Sequence, residues 1–181
     1  MFNTSVAEEI IGKVHNKTMN LQDKTWKKFN LGELFSVKKG KRLIKDDMTE
    51  GNTPYISSIN SNNGVSFYID EEPRHNGNVI TVNYNGSVGY AFYQDKPFFA
   101  SDAVNILTAK GWQMTPEIGI FISTVITNER YRFSFGRSWK VERFIKSEIW
   151  LPVVEDGNPD FDWMHKYISS LPYGNILSNF S

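Results

Sequence analysis

The sequence predicts a single α/β domain, and three observations support this fold class. The chain has 181 residues, of which 40% are hydrophobic, which is enough for one sizeable core and too few for two ordinary domains. Between Gly77 and Leu107 apolar and polar residues alternate in a way that is typical of strands. After Pro116 the apolar residues recur at helical spacing instead. We therefore expect a central β-structure with helices at its periphery.

The N-terminal part of the chain is expected to hold two short helices. Apolar residues recur at helical spacing in residues 6–15, which predicts an amphipathic helix followed by a polar connector. Trp26 and Phe29 then lie in a short extended piece. Asn30 has a side chain that commonly caps helices, so the sequence predicts a helix of one or two turns over residues 31–35.

A basic segment follows this second helix. Its cations, with no acidic residue among them, are Lys38, Lys39, Lys41, Arg42 and Lys45. Two interpretations stay open: the segment is a solvated loop, or its cations neutralise the phosphates of a nucleic acid, which flexible lysine and arginine side chains can do without strict geometry. The candidates for phosphate contact are Lys38, Lys41, Arg42 and Lys45.

Residues 51–69 are predicted to form a strand, a loop and a second strand. Pro54 is expected to open the first strand, residues 58–64 to form a polar loop and Val65–Ile69 to form the second strand. Asn60 and Asn63 stand in the loop. Asparagine tolerates left-handed turns, and it can also make bidentate hydrogen bonds to adenine.

A β-meander is predicted for the central segment. Its strands are expected at residues 78–84, 88–94 and 103–107. Asn85-Gly86 is a tight-turn signal between the first two strands. The turn places amide and hydroxyl groups of Tyr84, Asn85 and Ser87 at a hairpin tip, where they can reach a partner. The alternative is a hairpin with ordinary turn chemistry and no binding role.

The C-terminal part is predicted to contain helices, a basic link and one strand. A core helix is expected over residues 116–133, and Gly136 would end it. Arg137, Trp139 and Lys140 would then form an exposed basic and aromatic link, although an aromatic residue beside a helix end often packs. The remaining elements are a helical turn at 141–146, a strand at 149–153, a turn at 156–159 and a helix at 161–169 that Asp160 caps.

Composition excludes several classes of function. The chain has no cysteine, which rules out disulfides, thiolate zinc sites and a cysteine nucleophile. The 20 basic and 20 acidic residues balance, so no global field imposes a polyanionic partner, although one face can still be basic. The histidines, His15, His75 and His165, lack the spacing of metal ligands and are expected at the surface.

Motifs for catalysis and for membrane insertion are also missing from the sequence. It contains no nucleotide-binding glycine loop and no Asn-Pro-Pro-aromatic tetrad of the kind that amino-methyltransferases use. It has no apolar run of membrane-spanning length and does not open with a signal peptide. We therefore expect a cytoplasmic protein without a membrane partner.

Four sequence blocks occur in an order and spacing that are specific in combination. They are GNTPYISSINSNNGV, GNVITVNYNGSVGYAFYQDKPFFASDAVNIL, RYRFSFGRSWKVERFIKSEIWLPV and NPDFDWMHKYISSLPY. Together, over residues 26–173, they resemble the target-recognition domain of type I restriction-modification specificity subunits and the related domains of type IIG and IIB enzymes. The short motifs by which it resembles this family are Gly86-Ser87-Val88-Gly89, Pro97-Phe98, Asp102, Gly136-Arg137, Trp139 and Leu151-Pro152.

The resemblance implies an α/β (α+β) domain with a mixed, curved sheet and peripheral helices. Residues 1–25 would be an N-terminal helix and connector, 26–155 the recognition domain, and 156–181 a C-terminal helix and tail. Specificity subunits usually carry two recognition domains separated by long helices, whereas this chain has one. It would then be a half-subunit that forms a homodimer, a fragment, or part of a larger enzyme.

The resemblance also implies a DNA sequence-recognition module with no catalysis of its own. Its partners would be double-stranded DNA and a methyltransferase subunit or domain, with a restriction subunit as a further partner. The chain itself would need no cofactor, since S-adenosylmethionine would be bound by the methyltransferase. The candidates for base or groove contact are Asn60, Asn63, Tyr84, Asn85, Ser87, Arg137 and Lys140, with Trp139 beside them.

Two alternatives from other functional classes stay open. One is a small ligand-binding or carbohydrate-binding β-rich module that uses Tyr84, Trp112 and Trp139 as stacking platforms. The other is an enzyme with carboxylates that no motif reveals, for which strongly shifted pKa values in a cleft would be the sign. Asp102 is expected to be buried or half-buried and hydrogen-bonded, because an unpaired buried carboxylate is costly.

Overall fold

The computed structural model describes residues 19–44, 46, 48–132, 139–172 and 174. The strands within them are β1 (Trp26–Asn30), β2 (Phe35–Lys39), β3 (Glu50–Ile56), β4 (Val65–Ile69), β5 (Val79–Asn83), β6 (Ala91–Gln94), β7 (Phe99–Ala100), β8 (Val104–Ala109) and β9 (Glu148–Pro152). The α-helices are α1 (Leu31–Leu34), α2 (Pro116–Asn128), α3 (Val141–Phe144) and α4 (Phe161–Ser170). The predicted helix at residues 6–15 lies outside the described residues.

The central sheet is antiparallel throughout and has the strand order β2-β8-β5-β6. Lys39 of β2 lies opposite Asn105 of β8, which in turn lies opposite Val82 of β5. Because neighbouring strands run antiparallel, the ends of β2 and β5 lie at the same end of the sheet as the starts of β8 and β6. We call this end of the strands, with the connections that leave it, the loop end of the central sheet.

Two smaller sheets complete the β-structure. One has the order β4-β3-β7 and contains a parallel pairing, in which Tyr55 of β3 lies opposite Phe99 of β7. The other joins β1 to β9, with Trp26 opposite Pro152. The α/β fold class with mixed strand pairing is confirmed, and the described strands are divided among three sheets instead of forming one.

The central sheet is a middle layer, because its alternate side chains enter two hydrophobic clusters. Ile80, Val82 and Leu107 belong to the larger cluster, which also contains the α2 and α4 side chains that face the sheet. Val104 and Ile106 pack instead with residues of the second sheet and its connections. The helices therefore cover one face of the central sheet, and the second sheet covers the other.

Side-chain caps explain where three helices begin. Asn30, Thr115 and Asp160 each accept a hydrogen bond from a backbone N–H in the first turn that follows. The helix at residues 31–35, the start of the core helix at Pro116 and the cap at Asp160 were predicted from the sequence and are confirmed. The core helix is shorter than predicted: it ends at Asn128 and continues as a 3-10 turn.

The predicted tight turn at Asn85-Gly86 is wrong. The ladder between β5 and β6 closes where the Asn83 N–H donates to the Tyr90 carbonyl at 2.9 Å, so residues 84–89 form a longer loop. Gly86 and Gly89 both take left-handed conformations, with φ of 73° and 85°. The third strand of the segment, β8, pairs with β5 and not with β6, so the segment is not a simple meander.

Strand β3 begins at Glu50, earlier than the predicted start at Pro54. A proline inside a strand removes one donor from the ladder. Here β7 pairs with Tyr55 and Ile56, beyond Pro54, so the missing N–H does not interrupt that pairing. The second strand, β4, has the predicted bounds. In the described part of the chain no helix is both long and apolar enough to cross a bilayer.

Candidate nucleic-acid interface

Three connections meet at the loop end of the central sheet. Residues 40–44 continue from β2, residues 84–89 join β5 to β6, and residues 101–103 lead into β8. Loops held at one edge of a rigid sheet are a common location for binding residues. The candidate side chains that these connections and the end of β2 carry are Lys41, Arg42, Tyr84, Asn85 and Ser87.

Loop 84–89 is attached to the neighbouring loop that precedes β4. The hydroxyl of Ser58 donates to the backbone carbonyl of Asn85. The amide of Asn83, at the end of β5, donates to the carbonyl of Ile59 at 2.8 Å. The side chain of Asn85 is exposed and that of Ser87 is half-buried. The loop is thus fixed through its backbone, while Asn85 stays at the surface.

Gly89 fixes the other side of loop 84–89 against the end of α2. A Cβ atom at this position would lie 2.7 Å from the Cβ of Arg130, a separation that real structures do not show. The guanidinium of Arg130 lies over the ring of Tyr90, 5.3 Å from its centre. This cation–π contact places an exposed arginine beside the loop.

A cleft of about 190 Å³ lies between loop 84–89 and the start of α3. The residues that line it are Lys39, Tyr84, Asn105, Lys140, Val141 and Glu142. Two of them, Tyr84 and Lys140, were candidates from the sequence. The structure therefore joins these two candidates to Lys39, Asn105 and Glu142, which sequence reasoning did not select.

Lys39 and Tyr84 interact directly in this cleft. The ammonium of Lys39 lies 5.0 Å from the centre of the Tyr84 ring. A hydrogen bond with Tyr84 raises the pKa of Lys39, and the charges of Asp102 and Glu142 act in the same direction against the opposing effect of burial. The hydroxyl of Tyr84 donates to the backbone carbonyl of Asp102. Lys39 is therefore a cation throughout the physiological pH range.

Trp139 is buried, with 1% of its surface exposed, which contradicts an exposed link and confirms the alternative that this aromatic residue packs. Its backbone N–H donates to the Tyr84 carbonyl at 3.3 Å, and its backbone carbonyl accepts a bond of 3.1 Å from the Asn105 side-chain amide. In this arrangement the indole packs in the core and is not accessible to DNA. Its contacts instead position the exposed Lys140 beside the cleft.

Lys38 and Lys39 point to opposite faces of the central sheet, as consecutive strand residues do. Lys39 lies opposite Asn105 and lines the cleft. Lys38 lies opposite Ile106, whose side chain packs toward the second sheet. The charge of Lys38 also lowers the pKa of His75, which places the two side chains near each other. Lys38 is thus separated from the cleft.

Lys41 and Arg42 are exposed on the segment that leaves β2. The Lys41 N–H donates to the carbonyl of Ala100 at 2.9 Å, so this segment runs along the end of β7. Both cations therefore lie at the loop end, in a position that suits the predicted contact with phosphates. Two further candidates, Lys45 and Arg137, lie outside the described residues.

The two asparagine candidates of the loop before β4 differ in their surroundings. The amide of Asn63 donates to the Tyr93 carbonyl at 3.0 Å, and its backbone carbonyl accepts a bond of 2.9 Å from the Gln94 side chain. Asn63 also has a positive φ of 50°, which favours asparagine over most residues. These contacts support the structural interpretation for Asn63. Asn60 is exposed in the same loop.

Asp102 is half-buried, as predicted. Its backbone carbonyl accepts a hydrogen bond from the Tyr84 hydroxyl, whereas the predicted hydrogen bond of its carboxylate stays a prediction. The aromatic platforms of the carbohydrate-binding alternative are mostly packed against protein. Trp112 stacks on Phe161, with ring centres 4.3 Å apart, and its N–H donates to the Leu34 carbonyl. Trp112 is thus half-buried and Trp139 is buried, so neither offers a fully open stacking face.

Neither histidine that the structure describes is fully exposed, although 45% of the His165 side chain is accessible. His165 is half-buried, and its Nδ1 lies 3.1 Å from Oε2 of the buried Glu117. His75 is also half-buried, and its Nε2 has no hydrogen-bond partner among the described residues. His15 lies outside those residues. In the same part of the chain no group of three or more His, Cys, Asp or Glu side chains is placed to hold a metal ion.

Solved structures of similar fold include two specificity subunits. A type I restriction-modification S subunit from M. genitalium superposes with a TM-score of 0.59 at 20% identity, covering 97% of this chain and 43% of that one. The HsdS subunit of Thermoanaerobacter tengcongensis gives a TM-score of 0.56 at 10% identity, covering 97% and 44%. These likenesses support the fold.

Sequence comparison extends the likeness to the family. The specificity subunit S.BcgI of a type II restriction enzyme from Heyndrickxia coagulans is 35% identical over 150 residues, which are 82% of this chain and 44% of that protein. The chain therefore spans less than half the length of this relative. The family model described as type I restriction modification DNA specificity domain matches residues 23–173. This match confirms the resemblance seen in the sequence, and the chain belongs to the type I restriction modification DNA specificity domain family.

Proposed function

We propose that this chain binds duplex DNA in a sequence-dependent manner through the loop end of its central sheet. The observation that carries the proposal is the convergence of basic, amide and hydroxyl side chains at one edge of an antiparallel sheet. Membership of a DNA specificity domain family supports the same function. No comparable observation favours the carbohydrate-binding alternative.

The side chains divide into those that position the DNA and those that read it. Lys41 and Arg42 are exposed cations on an extension of β2, and they contact phosphates, which fixes the register of the protein on the duplex. Asn60, Asn85 and Ser87 carry short amide and hydroxyl groups that suit base edges in the major groove. Lys45 and Arg137 keep the phosphate and base roles proposed from the sequence.

The recognition domain works with other polypeptides. It directs a methyltransferase that binds S-adenosylmethionine, with a restriction subunit as a further partner, and it does no chemistry itself. Support comes from its relatives, which are specificity subunits of restriction-modification systems. The chain acts either as a half-subunit that forms a homodimer or as part of a longer polypeptide. The assembly acts on DNA in the cytoplasm.

Salt-dependent binding tests the location of the phosphate contacts. Anisotropy titrations on labelled duplexes, between about 50 and 200 mM salt, should show a steep loss of affinity. Lys41→Ala and Arg42→Ala should each weaken binding to all sequences alike and reduce the log–log salt slope by about one unit. Lys96→Ala is the matched control, because Lys96 is exposed just after β6 ends, at the opposite edge of the sheet.

Two results would contradict this assignment. Absence of DNA binding by the full chain would overturn the proposed function. An equal change of slope in Lys96→Ala and in the two loop-end variants would keep DNA binding but remove the loop end as its location.

Base reading requires a second comparison, between a preferred duplex selected from a random pool and a scrambled one. Asn85→Ala should cost about 1–3 kcal/mol on the preferred duplex and little on the scrambled duplex. If Asn85 only supports the loop, the variant lowers the melting temperature without changing discrimination. Equal losses on both duplexes would remove Asn85 from the base-reading set.

The proposed lack of catalysis is tested with the purified chain, S-adenosylmethionine and magnesium. Neither methyl incorporation nor cleavage of the preferred duplex is expected. Addition of a cognate methyltransferase chain should then produce methylation at the selected site. Robust activity of the isolated chain would overturn this part of the proposal.

A further inference from the structure

The cleft beside loop 84–89 contains a set of groups that a phosphate site would not have. Glu142 contributes a carboxylate, which can only accept hydrogen bonds, while Lys39 and Lys140 contribute donors. Tyr84 adds an aromatic face and Asn105 an amide. Donors, acceptors and an aromatic ring in one small site are the chemistry of base recognition.

We propose that this cleft reads the edge of one DNA base that carries an exocyclic amino group, adenine or cytosine, with Glu142 as the accepting residue. The inference rests on the proposed function and names a specificity determinant within it. Glu142 is exposed and lines the same cleft as Lys39. Carboxylates accept hydrogen bonds from the cytosine N4 amino group, and acceptors in general suit amino groups.

Asn105 supplies a second, independent observation. Its side chain is fully buried, and its Nδ2 group donates to the Trp139 carbonyl, so Nδ2 is already engaged. Its Oδ1 has no hydrogen-bond partner in the part of the chain that the structure describes. A buried acceptor without a partner is uncommon in native proteins and calls for an explanation. The amino group of a base held in the cleft is a donor of the kind that this acceptor lacks.

Charge argues against a backbone phosphate in the same place. The cation nearest the Tyr84 ring, Lys39, is already subject to the negative charges of Asp102 and Glu142. A phosphate beside Glu142 would meet a carboxylate at close range. Size argues against a larger ligand, since about 190 Å³ is below the roughly 300–1,000 Å³ of typical small-molecule pockets. The edge of a single base fits both the charge and the small volume of the cleft.

The donors and acceptors of the cleft also favour some bases over others. Adenine presents a donor (N6) beside an acceptor (N7) in the major groove, which matches an acceptor such as Glu142 beside a cation such as Lys39. Cytosine presents the N4 donor. Guanine presents two acceptors, and thymine an acceptor and a methyl group, so both oppose the Glu142 carboxylate.

The test is binding-site selection from a pool of random duplexes with the full chain, followed by titrations on the selected duplex. Wild-type protein should select adenine or cytosine at one position that Glu142→Ala relaxes, with a loss of roughly tenfold in affinity on that duplex and no change of salt slope. Glu142→Lys, which replaces an acceptor by a donor, should shift the same position toward guanine. Glu155→Ala, an exposed acid outside the loop end, is the control and should leave the motif unchanged.

Base analogues connect the residue to the amino group. Hypoxanthine in place of adenine, or uracil in place of cytosine, should weaken wild-type binding by roughly tenfold and weaken Glu142→Ala clearly less, because partners in contact are not additive and only the Asn105 acceptor remains in the variant. A motif that both Glu142 variants leave intact would overturn this inference while leaving the proposed function in place. Failure of the pool to yield any enriched sequence would overturn the proposed function, and this inference with it.

Discussion

The indole Nε1 of Trp139 donates a hydrogen bond of 2.9 Å to the hydroxyl of Ser147, within the hydrophobic core. The Ser147 hydroxyl in turn donates to the carbonyl of Arg143 at 2.9 Å. The bond thus joins the second residue before α3 to the residue just before β9. Through this connection the position of Lys140 at the cleft depends on packing inside the domain.

Trp139→Phe should therefore lower the free energy of unfolding by about 1–3 kcal/mol, because the hydroxyl of Ser147 loses its buried donor and a small cavity opens. Urea denaturation measures the loss. If Trp139 acts only by packing, the folded variant should lose affinity equally on preferred and scrambled duplexes. A selective loss on the preferred duplex would indicate that the indole has a direct role in reading.

Asn60 and Asn63 provide a matched pair within one loop. Asn63→Ala should destabilise the domain by about 2 kcal/mol, because alanine disfavours the positive φ and the bond to the Tyr93 carbonyl is lost. Asn60→Ala should change stability by less than about 0.5 kcal/mol, as surface changes usually do. Thermal denaturation checks both. The reverse order of stabilities would contradict the structural role given to Asn63.

Asp160 makes the free energy of unfolding depend on pH in the acidic range. Burial alone would raise the pKa of Asp160, but hydrogen bonds from Lys24 and from the Trp163 backbone lower it overall. The unfolded chain therefore binds this proton more readily than the folded chain. The stabilisation is complete above the ordinary pKa of 3.8 and is lost as the pH falls through the lowered value.

Asp160→Asn keeps an acceptor for the helix cap and removes the charge. Its stability deficit relative to wild type should be largest near neutral pH and should shrink as the pH falls below about 4. Asp160→Ala should lose about 0.5–2 kcal/mol in addition, since the cap is gone. Melting temperatures across this pH range decide the matter, and a deficit of Asp160→Asn that does not vary with pH would rule out the ionic contribution.

His75 should make the stability of the fold depend on pH in a higher range than Asp160 does. Burial lowers the pKa of His75, and the charges of Lys38 and Arg74 lower it further. The unfolded state then takes up a proton at pH values where the folded state does not, so stability declines as the pH falls below 6.5, the ordinary value. His75→Phe, which can stack on Phe98, should gain stability relative to wild type between pH 7 and pH 5. A constant difference would show that His75 titrates normally.

Local signals were sufficient for several elements of the fold. Helix α2 was found because Pro116 precedes apolar residues at helical spacing, and α4 because Asp160 precedes another helical segment. Strand β4 was predicted with its observed bounds. In these cases the side chains that determine the element lie within a few residues of it.

The candidate site was predicted only in part, because it depends on contacts between distant segments. Tyr84 and Lys140 were selected for their chemistry, whereas Asn105 was not, since its partners at the cleft come from β2, loop 84–89 and α3. Lys39 was omitted although Lys38 was chosen. The alternation of side chains along β2 was a usable signal: Phe35 and Val37 face the larger core, and Lys39 continues that face.

The pairing of β1 with β9 has a consequence for the kinetics of folding. During synthesis, Trp26–Asn30 has no partner strand until Glu148–Pro152 has left the ribosome. At about 5–20 residues per second, this interval lasts roughly ten seconds. In that interval Trp26 and Phe29 lie on an unpaired strand, which is a template for association with other chains. The central sheet, whose strands β5, β6 and β8 are close in sequence, can form earlier because its loops close at lower entropic cost. We therefore expect completion of the β1–β9 ladder to be the slow step of folding, and refolding at high protein concentration to lose yield at that step.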